Sequence, residues 1–272
     1  MSGARVAVLQ FPGVNCEGET VRALERAGLD GEVFRWTRPA SHLAAFDGYV
    51  LPGGFSYQDR VRAGALAAKD PMLAALAAEA RDGKPVLGIC NGAQVLVEAG
   101  LVPGSGKVEL ALARNRAPRR SGYYSRWVLC RVEESSCVFT RALSAGTLLP
   151  LPVAHGEGRF TASGRGAMAR LLAAGQIPLR YATPAGEVAA EFPDLPNGSE
   201  LAAAAVCNAA GNVLAMMPHP ERVLDLGAIS RETGGEWGAR RDAALQEGGD
   251  PMADSPGMLL FRALGAHLAE AR

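Results

Sequence analysis

Lys84-Pro-Val-Leu-Gly-Ile-Cys-Asn-Gly-Ala-Gln-Val-Leu-Val-Glu98 is the stretch whose reading decides the fold. Val86 to Ile89 is a short apolar run that reads as a buried strand, and it stops at Cys90. From Asn91 onward, Val95, Leu96 and Leu101 are spaced for the start of a helix. Gly88 and Gly92 stand two residues either side of the cysteine. A strand that reverses into a helix within one residue crowds both flanks, and small residues relieve the crowding. This is the arrangement of a nucleophile elbow, with Cys in place of Ser. The sulfur would stand at the carboxyl end of a sheet, beside a helix amino terminus whose unpaired N–H groups and dipole favour a thiolate. The competing reading is a cysteine buried for packing, because free Cys is among the most buried residue types.

Working outward, the flanking chain supplies the rest of such a sheet. Arg5 to Leu9, Glu32 to Trp36 and Tyr49 to Leu51 read as strands, and Thr20 to Ala27 and Pro71 to Arg81 as helices. Strands alternating with helices at this spacing indicate a parallel α/β sheet, with ligands beyond the carboxyl ends of its strands. Residues 10–17, residues 52–58 and the Cys90 turn are expected to meet on that rim. The second half changes character: Arg126 to Val132, Leu148 to Val153 and, more weakly, Val188 to Phe192 read as extended. Leu201 to Asn208 and Asn212 to Met217 flank a turn at Ala209-Ala-Gly211, a hairpin. The expected fold is an open, largely parallel sheet flanked by helices on both faces, with an added antiparallel hairpin region. Residues 1–272 form one domain in this reading. Residues 225–257, rich in Gly, Glu, Arg and Asp without a steady period, read as a loop or insertion facing a partner or closing as a lid. Met258 to Ala271 reads as a closing helix.

Of the 272 residues, 48% are apolar, enough for a sizeable core, and 28 basic side chains balance 28 acidic ones. A zero formal charge gives no global field for nucleic acid or an anionic membrane. No apolar run approaches the roughly 18 residues of a spanning helix, and a strand pattern begins at Arg5 without a secretory leader before it. The five cysteines are scattered and contain no C-x-x-C pair, which argues against a disulfide framework or a metal site. A reduced, cytoplasmic protein is expected.

A cysteine nucleophile requires a base, and the base an orienting group. Among the four histidines, His42 and His267 lie in polar, helix-like settings. His219 lies between two prolines, and a residue before proline is pushed into an extended conformation. Side chains two apart then share a face, so Glu221 is placed to hold the His219 ring. A capped turn with a solvated glutamate is the alternative. His155, ahead of Gly156-Glu157-Gly158, is a second base candidate in a loop suited to close approach of a ligand. Pro52-Gly53-Gly54 closes a strand on the same rim, and its N–H groups with that of Asn91 suit an oxyanion hole. Pro103 to Lys107 hints at a phosphate loop but lacks the required earlier glycine and the Ser/Thr after the lysine. The basic, aromatic-bearing run Arg114 to Arg131, including Arg119 and Arg120, reads as a solvated face or docking patch.

Gly88-Ile-Cys-Asn-Gly-Ala-Gln94, Pro52-Gly-Gly54 and Pro218-His-Pro-Glu221 together resemble the class I, triad-type glutamine amidotransferases, whose sheet is flavodoxin-like. Ala7 to Cys16, Pro52 to Tyr57 with Asp59, Arg62 to Ala65 and His155 to Arg159 narrow the resemblance to the glutaminase subunits of phosphoribosylformylglycinamidine synthases. Gln58 departs from the usual Gly and Ala93 from the usual Phe. The resemblance implies that Cys90 attacks the side-chain amide of L-glutamine to form a thioester, with Gly53, Gly54 and Asn91 around the oxyanion. It implies that His219 moves the proton, that Glu221 orients it, and that Gln94, His155, Gly156 and Glu157 grip the amino-acid end. It also implies a large synthetase subunit and a small bridging subunit as partners. The sequence shows no ATP motif, so no cofactor is expected in this chain, and ATP and magnesium are expected on the synthetase. Another class I amidotransferase, a stand-alone cysteine hydrolase of this fold, or a non-catalytic binding module are the other readings.

Overall fold

Short apolar runs broken by Gly and Pro build the sheet, and each strand expected in the first half is present in the computed structural model, which describes residues 3–118, 122–246 and 248–271. Strand β1 (Arg5–Gln10) is followed by helix α1 (Glu17–Arg26), β2 (Asp30–Arg35) and β3 (Gly48–Leu51). Helix α2 (Pro71–Arg81) has the bounds read from sequence: Asp70 caps it by accepting from the Met72 N–H at 2.9 Å, and Pro71 fills its first position. Strand β4 (Val86–Ile89) then runs into α3 (Asn91–Glu98). Strands β1 to β4 lie side by side, all parallel, in the order β2-β1-β3-β4.

The chain moves one way along the sheet through α1 and the other way through α2. Right-handed crossovers therefore put those helices on opposite faces. Strand order reverses between β1 and β3, so the loops leaving their carboxyl ends diverge and open a crevice there.

The remaining strands are β5 (Leu110–Arg114), β6 (Tyr124–Val132), β7 (Leu148–His155), β8 (Glu157–Ala162), β9 (Leu179–Ala182), β10 (Ala203–Cys207) and β11 (Val213–Met216). Strand β11 adds parallel to β4, and β10 pairs antiparallel with it as the expected hairpin. The antiparallel region is larger than one hairpin, because β9, β6 and β7 extend it to a nine-stranded sheet ordered β2-β1-β3-β4-β11-β10-β9-β6-β7. Strands β5 and β8 form a separate antiparallel pair. In β4, β10 and β11 every residue is buried, the pattern of strands covered on both faces.

Three readings change. Val188 to Phe192 is not a strand; Val188 makes one isolated bridge to Ala182. Residues 225–257, read as a loop, contain helix α5 (Gly235–Ala244), and α6 (Pro256–Glu270) closes the chain after α4 (Ala167–Ala173). Helix α5 has no steady apolar period because one anchor supplies much of its hold: Trp237 is buried and donates its Nε1–H to the Leu148 carbonyl at 2.9 Å. Finally, the family's usual glycine at position 58 has a reason here. Gln58 sits at φ 60°, with Tyr57, Asp59 and Val61 also at positive φ, a region that costs an L side chain about 1 kcal/mol or more. Among the described residues no helix is long and apolar enough to cross a membrane.

Candidate active site

The turn at Cys90 is the tightest point of the sheet. Its backbone is held at φ 51° and ψ −105°, and its N–H donates to the Met216 carbonyl at 2.8 Å, so the elbow is pinned to β11. The flanking glycines are required by contact. A Cβ on Gly92 would stand 1.9 Å from the Leu51 carbonyl oxygen, and one on Gly88 would stand 2.6 Å from Leu96 Cδ1. Cys90 is 6% exposed, and its sulfur lies 3.6 Å from the Ala154 carbonyl.

His219 arrives from β11 and is seated by its backbone, whose N–H donates to the Pro152 carbonyl at 2.8 Å. Its φ of −104° and ψ of 87° keep it out of the helical region, as the following proline requires. Glu221 lies in a 3-10 turn rather than on a shared strand face, so the turn, not strand alternation, brings it to the ring. Nδ1 of His219 and Oε1 of Glu221 are 2.5 Å apart and both side chains are buried. The other ring nitrogen, Nε2, is buried without a hydrogen-bond partner. Burial opposes a charged ring. The Glu221 carboxylate and the sulfurs of Cys90 and Cys16, acting at side-chain range, outweigh it and hold the His219 pKa well above its ordinary value. Cys90, distant in sequence, thus converges with the neighbouring His219 and Glu221.

Gly53 makes room for this ring: a Cβ there would lie 2.7 Å from His219 Cε1. Gly54, at φ 147°, abuts the loop after β1, where a Cβ would meet Val14 Cα at 2.6 Å. Among the described residues the Gly54 and Asn91 N–H groups donate to no protein acceptor, which leaves both for a ligand oxygen. The Asn91 side chain ties the two loops together, accepting from the Ser56 N–H at 3.0 Å and donating to Asp59 at 3.3 Å and Gln94 at 2.9 Å. Asp59 is pushed up to about 6 by burial and by the facing Glu157 carboxylate, against the Asn91 bond.

Gln94 is committed to structure, since it also donates to the Glu157 carbonyl at 2.6 Å and so bridges α3 to β8. His155 ends β7 and Glu157 starts β8, so Gly156 alone connects two strands where the sequence read a loop. The partner of His155 is Asn115, not Glu157: Asn115 Oδ1 lies 3.1 Å from Nδ1, while its Nδ2 donates to the His155 carbonyl at 2.8 Å. Burial and the nearby His219 pull His155 down to about 3, so it stays neutral and does not compete as a base. The folded pKa is below the unfolded one, so the unfolded chain takes up the proton first and stability is lost as pH falls from about 6.5 toward 3. The expected share of this ring is about 2 kcal/mol between pH 6.5 and 5. Urea unfolding of the protein and of His155→Gln at both pH values should show that difference shrink in the variant by this amount.

Sequence reading missed Asn115, Cys16 and Arg222. Cys16, one of the scattered cysteines, has a sulfur that accepts from Arg222 Nη2 at 3.1 Å and is close enough to the His219 ring to act on its charge. Cys16, His219 and Glu221 offer ligand atoms within 4.8 Å of one another. The His219–Glu221 bond already uses two of these groups, and a guanidinium rests on the third, so the set suits proton transfer better than a metal ion. Among the described residues of the basic run, Tyr123 also reaches the rim: its ring lies 6.3 Å from that of Phe55, and it feels the Cys90 and His219 charges. Arg119 and Arg120 lie outside the described residues. A cavity of about 470 Å³ lined by Trp127 and Trp237 contains none of the candidate residues.

The CobB/CobQ-like glutamine amidotransferase domain model matches residues 3–263. A phosphoribosylformylglycinamidine synthase subunit PurQ of Methanothrix thermoacetophila is 52% identical over 225 residues, 80% of this chain and 86% of that one. The subunit of the same name from Thermomicrobium roseum is 43% identical over 254 residues, 93% of this chain and 99% of that one. Among solved structures, PurLQS from Thermotoga maritima superposes with a TM-score of 0.72 at 29% identity, covering 98% of this chain and 100% of that one.

Proposed function

The chain belongs to the CobB/CobQ-like glutamine amidotransferase family, and from that premise we propose that it is the glutaminase subunit of a phosphoribosylformylglycinamidine synthase in de novo purine biosynthesis. It hydrolyses L-glutamine to glutamate and ammonia. A large synthetase subunit, joined by a small bridging subunit, uses the ammonia with ATP and magnesium to convert formylglycinamide ribonucleotide to formylglycinamidine ribonucleotide.

The observation that carries this reading is the strained Cys90, set between two undonated amides and a histidine already held by a carboxylate. The Cys90 thiolate attacks the side-chain carbonyl carbon of glutamine, and the carbonyl oxygen gains negative charge that the Gly54 and Asn91 N–H groups stabilise by donating to it. The C–N bond breaks as protonated His219 gives its Nε2 proton to the departing ammonia, leaving a glutamyl thioester on Cys90. Neutral His219 then takes a proton from water, whose oxygen attacks the thioester and releases glutamate and the thiolate. Throughout, Glu221 accepts the Nδ1–H, fixes the tautomer and stabilises the imidazolium. The Asn91–Gln94–Glu157 chain holds the rim on which the amino-acid end is placed.

Glutamine hydrolysis by the isolated chain, compared with the rate after adding synthetase, bridging subunit, ATP and the ribonucleotide acceptor, tests the assignment. Turnover is expected to rise by about tenfold or more on assembly, the size of a coupling free energy near 1.4 kcal/mol. Full turnover by the isolated chain, indifferent to the other subunits, would instead identify a stand-alone hydrolase.

A further inference from the structure

Cys16 has no step in the reaction above, yet it is among the most firmly placed side chains of the site. It is fully buried, its N–H donates to the Gly53 carbonyl at 3.2 Å, and its carbonyl accepts from the Thr20 hydroxyl at 2.8 Å and the Thr20 N–H at 3.1 Å. Its sulfur and the Cε1–Nδ1 edge of His219 flank the same Cα, since a Cβ on Gly53 would lie 3.2 Å from the one and 2.7 and 3.4 Å from the other. The sulfur also receives an N–H of the Arg222 guanidinium at 3.1 Å.

We propose that Cys16 is a positioning residue, whose sulfur stands between the Arg222 guanidinium and the His219 ring, takes the guanidinium's N–H, and so keeps a neighbouring cation from suppressing the ring's basicity. Protonating an imidazole beside an arginine costs Coulomb energy that rises steeply as separation and local dielectric fall. A polarisable acceptor wedged between them reduces that cost on both counts. The ring is open to such tuning, because its Nε2 and the Glu221 Oε2 are buried without partners. The charged and titratable groups facing His219 are Glu221 and Arg222 from its own segment, Cys16 from the loop after β1, Cys90 from the elbow, His155 from β7 and Tyr123 from the segment before β6. Of these, Cys16 alone touches both the ring's surroundings and the cation.

The inference rests on His219 acting as the acid–base group, but its test does not require turnover. The His219 ring is titrated by NMR in the full-length chain and in Cys16→Ala, Arg222→Gln and the double variant. Cys16→Ala should lower the midpoint by about 1 pH unit, a tenfold loss of proton affinity, and adding Arg222→Gln should restore it to within about 0.3 unit. Cys16→Ser keeps an acceptor for the guanidinium and should stay within about 0.3 unit of the parent, which also covers the case in which the alanine variant fails to fold. An unmoved midpoint in Cys16→Ala, no recovery in the double variant, or a full-unit drop in Cys16→Ser would each overturn the proposal. Glutamine hydrolysis by the parent, measured separately, reports on the reaction itself. A loss there with an intact Cys16–Arg222 coupling would implicate the functional assignment, not this role.

Discussion

Cys90→Ala should lower the glutaminase kcat by at least about a thousandfold, because it removes the sulfur that carries the acyl intermediate. Labelling at position 90 by a glutamine-mimicking electrophile such as diazo-oxo-norleucine should disappear together with turnover, as read by intact-mass spectrometry. Stability should not fall with activity. At φ 51° and ψ −105° the Cys90 backbone sits where non-glycine residues are strained by about 1 to 3 kcal/mol. That strain belongs to the elbow and survives an alanine, whereas Cys90→Gly should relieve it and raise the melting temperature of an equally dead enzyme. Residual turnover above a few per cent, or an adduct on Cys16 in its place, would refute the assignment of Cys90 as nucleophile.

Glu221→Gln should cost about a hundred- to ten-thousandfold in kcat, with the fold retained. The neutral amide removes the charge that raises the His219 pKa, and its NH2 can present a donor to Nδ1 and so favour the unproductive tautomer. The alkaline limb of the kcat/KM profile should therefore move to lower pH. Stability should respond with the matching sign. A ring whose folded pKa lies above its unfolded value contributes stability that is complete below about pH 6.5 and fades as pH rises through the folded value. In Glu221→Gln that contribution is largely lost, so parent and variant should differ most in acid and converge in alkali when unfolded by urea. A variant within threefold of the parent would show that the 2.5 Å contact between these side chains does not serve catalysis.

The parallel half of the sheet and the elbow were legible because local chemistry dictates them: apolar runs between Gly and Pro, a capped Pro71 helix, and paired glycines that only backbone contact explains. The pairing of His219 with Glu221 was also legible, through the flanking prolines, although a 3-10 turn achieves it. Strands β5, β8 and β9 escaped notice because their residues, such as Leu110-Ala-Leu-Ala-Arg114, gain a sheet partner only from distant chain. Helix α5 was hidden for the same reason, as burial of Trp237 under the β7 edge compensates for weak periodicity. Asn115 carried no local signal at all. Its value lies in a side chain that holds both the ring and the carbonyl of His155, forty residues away.

Strand β7 ends the large sheet, yet its outward positions are hard for another chain to use. The carbonyls of Leu148, Pro152 and Ala154 are engaged by Trp237, His219 and Cys90, and Pro150 and Pro152 have no amide hydrogen to offer. An intruding strand would meet two prolines without amide hydrogens and three carbonyls already engaged along that margin, one way in which sheet borders are kept from seeding fibres. Self-association through this border is thereby discouraged by the same row of atoms that seats the nucleophile and its base. Loosening the margin would endanger solubility and chemistry together.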